Sequence, residues 1–211
     1  MRNMIVAAVA ALATGCFGGL KNEVPAPRIY RVDAPEVGTG NALGADLSVV
    51  VERTAPGLDG EGIAGRWPGN RLDYIANARW ADDVSRMLQS ALVESFQESG
   101  RLRSVQGDAG RFPATHTLVI EVRRFEADYT AGALPVAEVE LAVTLGRNSD
   151  RQVLASFIAA SRENASENRQ TSVVAALDAA FAKAASEVAA RSFDTISADL
   201  AAGEQARSAG R

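Results

Sequence analysis

A period-two alternation of side chains in residues 137–146 is the feature that most constrains the fold of this chain. The apolar members of the run share one face of an extended strand: Val139, Leu141, Val143 and Leu145. Glu138 and Glu140 share the opposite face, and residues 46–53 and 116–129 alternate in the same way. Because one apolar and one polar face are typical of an antiparallel sheet covered on one side, the sequence predicts such a sheet.

Turn-forming residues divide the rest of the chain into further strands. Apolar and β-branched segments predict these strands at 28–33, 62–67, 72–77, 102–105 and 152–161. Pro68, Gly69 and Asn70 separate two of them, so residues 62–67 and 72–77 are predicted to pair as a hairpin.

Two segments carry the three- and four-residue spacing of a helix with one apolar face. In the first, Asp82 or a neighbour is a candidate N-terminal cap, and the apolar residues at this spacing are Trp80, Val84, Met87, Leu88, Ala91, Leu92 and Phe96. The second is Ala-rich and is predicted from about Thr171 to about Leu200, with a flexible tail over 201–211. The order of elements predicts an α+β fold, a two-layer sandwich of a mostly antiparallel sheet with two main helices packed on one face.

Composition excludes several functional classes. The chain has 22 basic and 26 acidic residues, a formal net charge of −4, so it lacks the basic excess of a protein that binds nucleic acid. One cysteine and one histidine exclude a disulfide framework and a metal site built from several Cys and His ligands of one chain. No cofactor or metal is therefore predicted, and a nucleophile activated by histidine would have to use His116.

The first 15 residues have the pattern of a secretory signal peptide. Arg2 is followed by the uncharged apolar run 4–13, which is too short to span a bilayer, and by small residues immediately before Cys16. The small-residue run that ends in Cys16 resembles a bacterial lipobox, in which the cysteine becomes the lipidated first residue of the mature protein. The expected organisation is a signal peptide at 1–15, a lipidated tether at 16–27 and a folded domain at 28–200.

Six segments are informative because of their order along the chain. They are ATGC ending at Cys16, YRV at 30–32, LDYIANARW at 72–80, GRL at 100–102, FE at 125–126 and the Ala-rich terminal helix. None of them is a catalytic motif. In this order they resemble the ABC-type transport auxiliary lipoprotein family, which includes the PqiC-type partner of MCE (mammalian cell entry) lipid transporters.

The resemblance implies a periplasmic domain that is attached to the outer membrane by a lipid anchor containing palmitate. Phe17 stands where an aspartate commonly marks inner-membrane retention, which favours the same location. The implied partners are a periplasmic MCE-domain protein with its ABC permease and ATPase, together with further copies of this chain in a ring. The implied function is non-enzymatic: an auxiliary subunit of a system that moves lipid or hydrophobic solute between membranes.

Two other functional classes remain as alternatives to the transport role. One is an envelope scaffold lipoprotein that aids outer-membrane or cell-wall assembly. The other is a hydrolase that uses His116, which follows Pro113 and is predicted at the surface or at a sheet edge. Neighbouring carboxylates and arginines over 121–128 and 138–147 are predicted to form cross-strand ion pairs on a solvated sheet face.

Three aromatic residues are candidates for partner binding: Trp67, Tyr74 and Trp80. Aromatic side chains supply much of the binding energy of protein interfaces, which is the reason for choosing them. The alternative for Trp80 is a core aromatic at the junction between a strand and a helix.

Overall fold

The elements follow the order predicted from the sequence. The computed structural model describes residues 26–130 and 132–210, so the signal peptide, Cys16 and most of the tether lie outside the described residues. The strands are β1 (Arg28–Tyr30), β2 (Leu43–Thr54), β3 (Gly62–Trp67), β4 (Arg71–Trp80), β5 (Leu102–Gln106), β6 (His116–Asp128), β7 (Val136–Arg147) and β8 (Gln152–Asn164). The helices are α1 (Val84–Glu98) and α2 (Gln170–Ala209).

Strand β6 organises the sheet, because three other strands pair with it. β7 lies antiparallel along one edge of β6, and β8 pairs beyond β7. Two strands share the other edge: β2 pairs with residues 116–122 of β6 and β3 with residues 126–128. β5 extends the sheet beyond β2, and β4 followed by β1 extends it beyond β3.

The sheet is mixed, so the prediction of a mostly antiparallel sheet is not confirmed. Within the described residues, four strand pairs are parallel (β1–β4, β2–β5, β2–β6 and β3–β6) and three are antiparallel (β3–β4, β6–β7 and β7–β8). Alternation of side chains depends on which face of a strand is covered and not on the direction of its neighbours. The sequence pattern therefore located the strands without determining how they pair.

Both helices pack on the same face of the sheet. α1 packs against β2 and β5, and α2 packs against β6, β7 and β8. The helices touch through Phe96 and Phe193, whose rings meet edge to face with centroids 5.4 Å apart. Burial of one large apolar side chain stabilises a fold by about 1.5–3 kcal/mol, and this face carries most of the fully buried ones: Trp80, Phe96, Phe125, Phe181, Phe193, Leu47, Ile63, Leu88, Leu92, Leu118, Ile120 and Leu141.

Helix α2 is longer than the sequence predicted. Its 40 residues give a length of about 60 Å, and the last buried side chain is that of Ile196. The sequence predicted an end near Leu200, but the helix continues through Ala209. Alanine, glutamate, glutamine and arginine favour helix even without packing, and they make up most of this last segment.

Candidate functional site

The β3–β4 hairpin carries two of the three aromatic residues predicted to bind a partner. The strands pair in antiparallel register, with Gly65 opposite Asp73 and Trp67 opposite Arg71. In the turn between them, Gly69 and Asn70 have φ angles of 80° and 58°, in the left-handed region that these two residue types tolerate best. The hairpin predicted from the sequence is therefore confirmed.

The Trp67 side chain lies on the same face of the sheet as the two helices, where it stacks on Tyr129. Its ring is nearly parallel to that of Tyr129, with centroids 4.7 Å apart and planes inclined by 4°. The Arg71 guanidinium lies 5.7 Å from the centre of the Trp67 ring, within the range of a cation–π contact. Gly65 leaves room for the stack, because a Cβ atom there would lie 2.5 Å from the Trp67 ring. Burial raises the pKa of the Tyr129 hydroxyl.

Tyr74 and Leu72 lie on the opposite face of the hairpin. Tyr74 is 51% exposed and Leu72 39% exposed, so both present apolar surface to solvent. The Tyr74 hydroxyl donates a hydrogen bond of 3.1 Å to the Gly57 carbonyl oxygen. A Cβ atom at Gly62 would overlap the Tyr74 ring, so the absence of a side chain there allows the ring to lie against the neighbouring loop. The hairpin thus holds an exposed aromatic ring in one defined position.

Trp80 lies in the core and not in this surface. Its side chain is 1% exposed, and its ring packs against Phe125 with centroids 5.3 Å apart. Phe125 in turn meets Phe181 of α2 edge to face. A partner could reach Trp80 only if the core opened, so its predicted role in partner binding is corrected to that of a core aromatic at the β4–α1 junction.

His116 is buried, whereas the sequence predicted a surface or edge position. The residue is 1% exposed. Its Nε2 lies 3.2 Å from Asp199 Oδ2 on α2, and its Nδ1 lies 2.9 Å from Thr115 Oγ1. Arg147 also contacts Asp199, at 2.5 Å. A hydroxyl, an imidazole and a carboxylate are thus aligned, but an imidazole this deeply buried is closed to substrate. The arrangement ties the start of β6 to α2.

Arginines and carboxylates form a network on the sheet face opposite the helices. Arg66 Nη2 lies 2.8 Å from Asp128 and 3.2 Å from Glu138, and Arg66 Nε lies 3.1 Å from Glu126. Arg124 contacts Glu138 at 2.8 Å. The predicted cross-strand ion pairs are present, but three of the carboxylates are buried and not solvated, because guanidinium groups cover them.

The charges of this network satisfy one another. Burial by itself raises the pKa of Asp128, but hydrogen bonds from Thr130 and the charges of Arg66 and Arg162 outweigh it, so that the pKa lies below its usual range. An open depression of about 540 Å³ lies over the network. Positively charged arginines and negatively charged carboxylates both line it. With its charges paired, the depression has no excess of positive charge with which to select an anion.

The described part of the chain offers neither a metal site nor a membrane-spanning helix. Within residues 26–130 and 132–210, no group of three or more His, Cys, Asp or Glu side chains is arranged to hold a metal ion. No helix in the same residues is long and apolar enough to cross a membrane.

Tyr129 and Asp199 are the residues that the sequence did not single out. Tyr129 follows β6 directly and meets Trp67 only because β3 pairs with the end of β6. Asp199 lies 83 residues from His116. No local pattern marks either contact, since both depend on long-range pairing.

Comparison with known proteins identifies relatives over most of the domain. A family model described as the ABC-type transport auxiliary lipoprotein component matches residues 32–189. A crystal structure of a protein from Xanthomonas campestris, assigned to the family DUF330, is 27% identical, with a TM-score of 0.76, and covers 82% of this chain and 98% of that chain.

Two further matches are narrower in what they show. A hypothetical protein from Chlamydia trachomatis is 10% identical, with a TM-score of 0.50 over 74% of this chain and 99% of that chain, which is a likeness of fold alone. An uncharacterized protein of Bradyrhizobium diazoefficiens is 29% identical over 114 residues. That match covers 54% of this chain but only 30% of the relative, so the chain spans less than a third of that protein's length.

Proposed function

The chain belongs to the ABC-type transport auxiliary lipoprotein family, and we propose that it is the lipid-anchored auxiliary subunit of an MCE-type ABC transport system. In this role it faces the periplasm from the outer membrane. The system moves lipid or hydrophobic solute between the two membranes. The observation that carries the proposal is the family match over residues 32–189, combined with the signal-like segment that ends at Cys16.

The proposed role requires binding and positioning, and no chemical step. The family is described as an auxiliary component and not as a class of enzyme. The buried position of His116, paired with Asp199, supports the same interpretation, because a general base must reach its substrate. The partners we propose are a periplasmic MCE-domain protein with its permease and ATPase, and further copies of this chain in a ring. Trp67 and Tyr74 are the residues we propose for binding.

Lipidation is tested by metabolic labelling with a palmitate analogue in cells that express the full chain. Cys16→Ala is expected to abolish labelling, because it removes the only thiol of the chain. Phe17→Ala is the matched control, since it changes the adjacent residue and keeps the thiol. Equal labelling of the wild type and Cys16→Ala would refute the lipid anchor.

The transport role is tested by purifying the tagged chain from native membranes. Recovery of an MCE-domain protein with its permease and ATPase is the expected result, and a chain with Cys16→Ala should recover less of the complex. Repeated recovery of a cell-wall or outer-membrane assembly complex in its place would favour the envelope scaffold.

A further inference from the structure

We propose that the hairpin tip, residues 67–74, contacts the surface of a lipid bilayer through Trp67, Leu72 and Tyr74. The inference rests on the proposed function in one respect, because it takes the chain to be anchored through Cys16. It goes beyond that function by naming a membrane surface as the partner of the aromatic residues. It also gives the orientation in which the domain faces that membrane.

Exposed apolar side chains gather at the end of the domain that carries this tip. Three of the large exposed apolar residues lie there: Leu72 (39%), Tyr74 (51%) and Leu134 (46%). The topology places them together, because β3 runs parallel to β6 and so reaches the same end of the sheet as the β6–β7 connection, which holds Leu134. Exposed apolar groups concentrated in this way indicate an interaction surface.

The direction of β1 defines the side from which the chain enters the described domain. β1 is parallel to β4, with Ile29 opposite Arg79, and β4 runs away from the hairpin tip. Ala26 and Pro27, which directly precede β1, therefore lie on the side of Arg28 that faces the tip. Gly62 of β3 also lies opposite Arg79. Trp67 is five positions further along β3, so the level of Ile29 lies about 17 Å from Trp67.

The length of the tether allows the tip to reach the membrane. Twelve residues lie between Cys16 and Ile29, and a chain of that length joins them over at most about 45 Å. This reach exceeds the distance of about 17 Å from the level of Ile29 to the tip. At the opposite end, Phe112 precedes the start of β6, whose 13 residues extend about 40 Å. The tether length alone does not separate the two ends, but β1 starts from the side of the tip, so an anchor on Cys16 favours the hairpin end over the end that carries Phe112.

The chemistry of the tip suits the interfacial layer of a bilayer. Tryptophan and tyrosine are enriched at that depth because their rings are apolar and their N–H and O–H groups are polar. Leu72 adds apolar surface next to Tyr74, while Arg71 can keep its guanidinium at the level of the phosphates. Asp73 is also exposed there, so the contact depends on apolar burial more than on charge.

The two tryptophans of the chain provide a reporter and an internal control. The full acylated chain is reconstituted into phosphatidylcholine vesicles whose acyl chains carry bromine, which quenches nearby tryptophan emission. Trp80→Phe leaves Trp67 as the reporter, and Trp67→Phe leaves the buried Trp80. We expect loss of most Trp67 emission and little loss for Trp80. If Trp80→Phe unfolds, the difference between the wild type and Trp67→Phe gives the Trp67 signal.

A second pair of variants tests the apolar contact itself. Leu72→Asp places a charge in the tip and is expected to relieve the quenching of Trp67. Phe112→Asp is the matched control, because Phe112 is 80% exposed at the opposite end and its replacement should leave the quenching unchanged. Equal relief by both variants would overturn the assignment of the contact to the hairpin tip.

Flotation of the same vesicles separates failure of the anchor from failure of the contact. A chain that floats with the vesicles while Trp67 stays unquenched keeps its anchor and refutes the membrane contact. A chain that does not float lacks the anchor, and the contact that rests on it is refuted as well. Trp67 that is unquenched in vesicles but shifts its emission when an MCE-domain protein is added would identify a protein partner and overturn the proposal.

Discussion

Replacing Arg66 by methionine removes the cation that three buried carboxylates share. Arg66 donates hydrogen bonds to Glu126, Asp128 and Glu138 over 2.8–3.2 Å. Methionine is of comparable length but uncharged. The variant therefore leaves the three buried negative charges with less positive charge beside them. Removal of one partner from a buried ion pair typically costs about 3–5 kcal/mol. Because Arg66 is itself a quarter exposed and Arg124 still contacts Glu138, we expect the lower end of that range, about 3 kcal/mol.

Acidification should reduce this penalty. In the wild type the pKa of Asp128 is lowered from 3.8, so its contribution to stability is present above that value and is lost as the pH falls through the lowered pKa. Without Arg66, the burial that raises the pKa of Asp128 is opposed by one cation fewer, so Asp128 in the folded variant takes up its proton at a higher pH than in the wild type. The difference in the free energy of unfolding is therefore largest at neutral pH and narrows below about pH 5.

Urea unfolding followed by far-ultraviolet circular dichroism measures the difference, using the chain from residue 16 with Cys16→Ala. Arg162→Met is the matched control, because Arg162 contacts two of the same carboxylates, Asp128 and Glu138, but its side chain is 62% exposed. We expect this control to lose less than about 1 kcal/mol. Equal losses for the two variants, or a deficit of Arg66→Met that grows on acidification, would show that burial does not govern the energetics of this network.

Three further predictions follow from particular contacts. Gly65→Ala should displace the Trp67 ring from its stack, lowering the free energy of unfolding by about 1 kcal/mol and shifting Trp67 emission to longer wavelength. Asp199→Ala removes a partner of a buried imidazole and should cost about 1–3 kcal/mol in urea unfolding, whereas the exposed Glu204→Ala should be neutral. Asp150, whose pKa is lowered to about 2 mainly by a hydrogen bond from an arginine, should stay charged until the pH approaches that value, which carbon NMR titration of its carboxyl group would detect.

Local patterns in the sequence carry enough information to locate most elements of this fold. The alternation in β7 and the turn residues at 68–70 each predicted structure that formed, because both depend only on neighbours in the chain. Strand direction was different. The parallel pairing of β3 with the end of β6 joins residues about 60 positions apart, and no local pattern encodes it.

The difference between local patterns and long-range packing also explains which residues of the candidate site could be predicted. Trp67 and Tyr74 were identifiable as aromatic residues on a hairpin, yet their exposure follows from the loops that pack beside them. Trp80 is also a tryptophan and ends β4, the strand that carries Tyr74, but it is 1% exposed and packs against Phe125. Residue type alone could not separate Trp67 from Trp80, because burial is set by tertiary packing.

The distribution of polar and apolar groups favours function by surface contact over function by chemistry. A catalytic site requires polar groups that are held in place but left free to engage a substrate. Here the buried ionisable groups are already paired: His116 with Asp199, and the carboxylates at 126, 128 and 138 with arginines. The groups that remain without partners at the hairpin end of the described domain are apolar, such as Leu72 and the ring of Tyr74. Their free energy is lowered by contact with another apolar surface, which is what an anchored auxiliary subunit meets at a membrane.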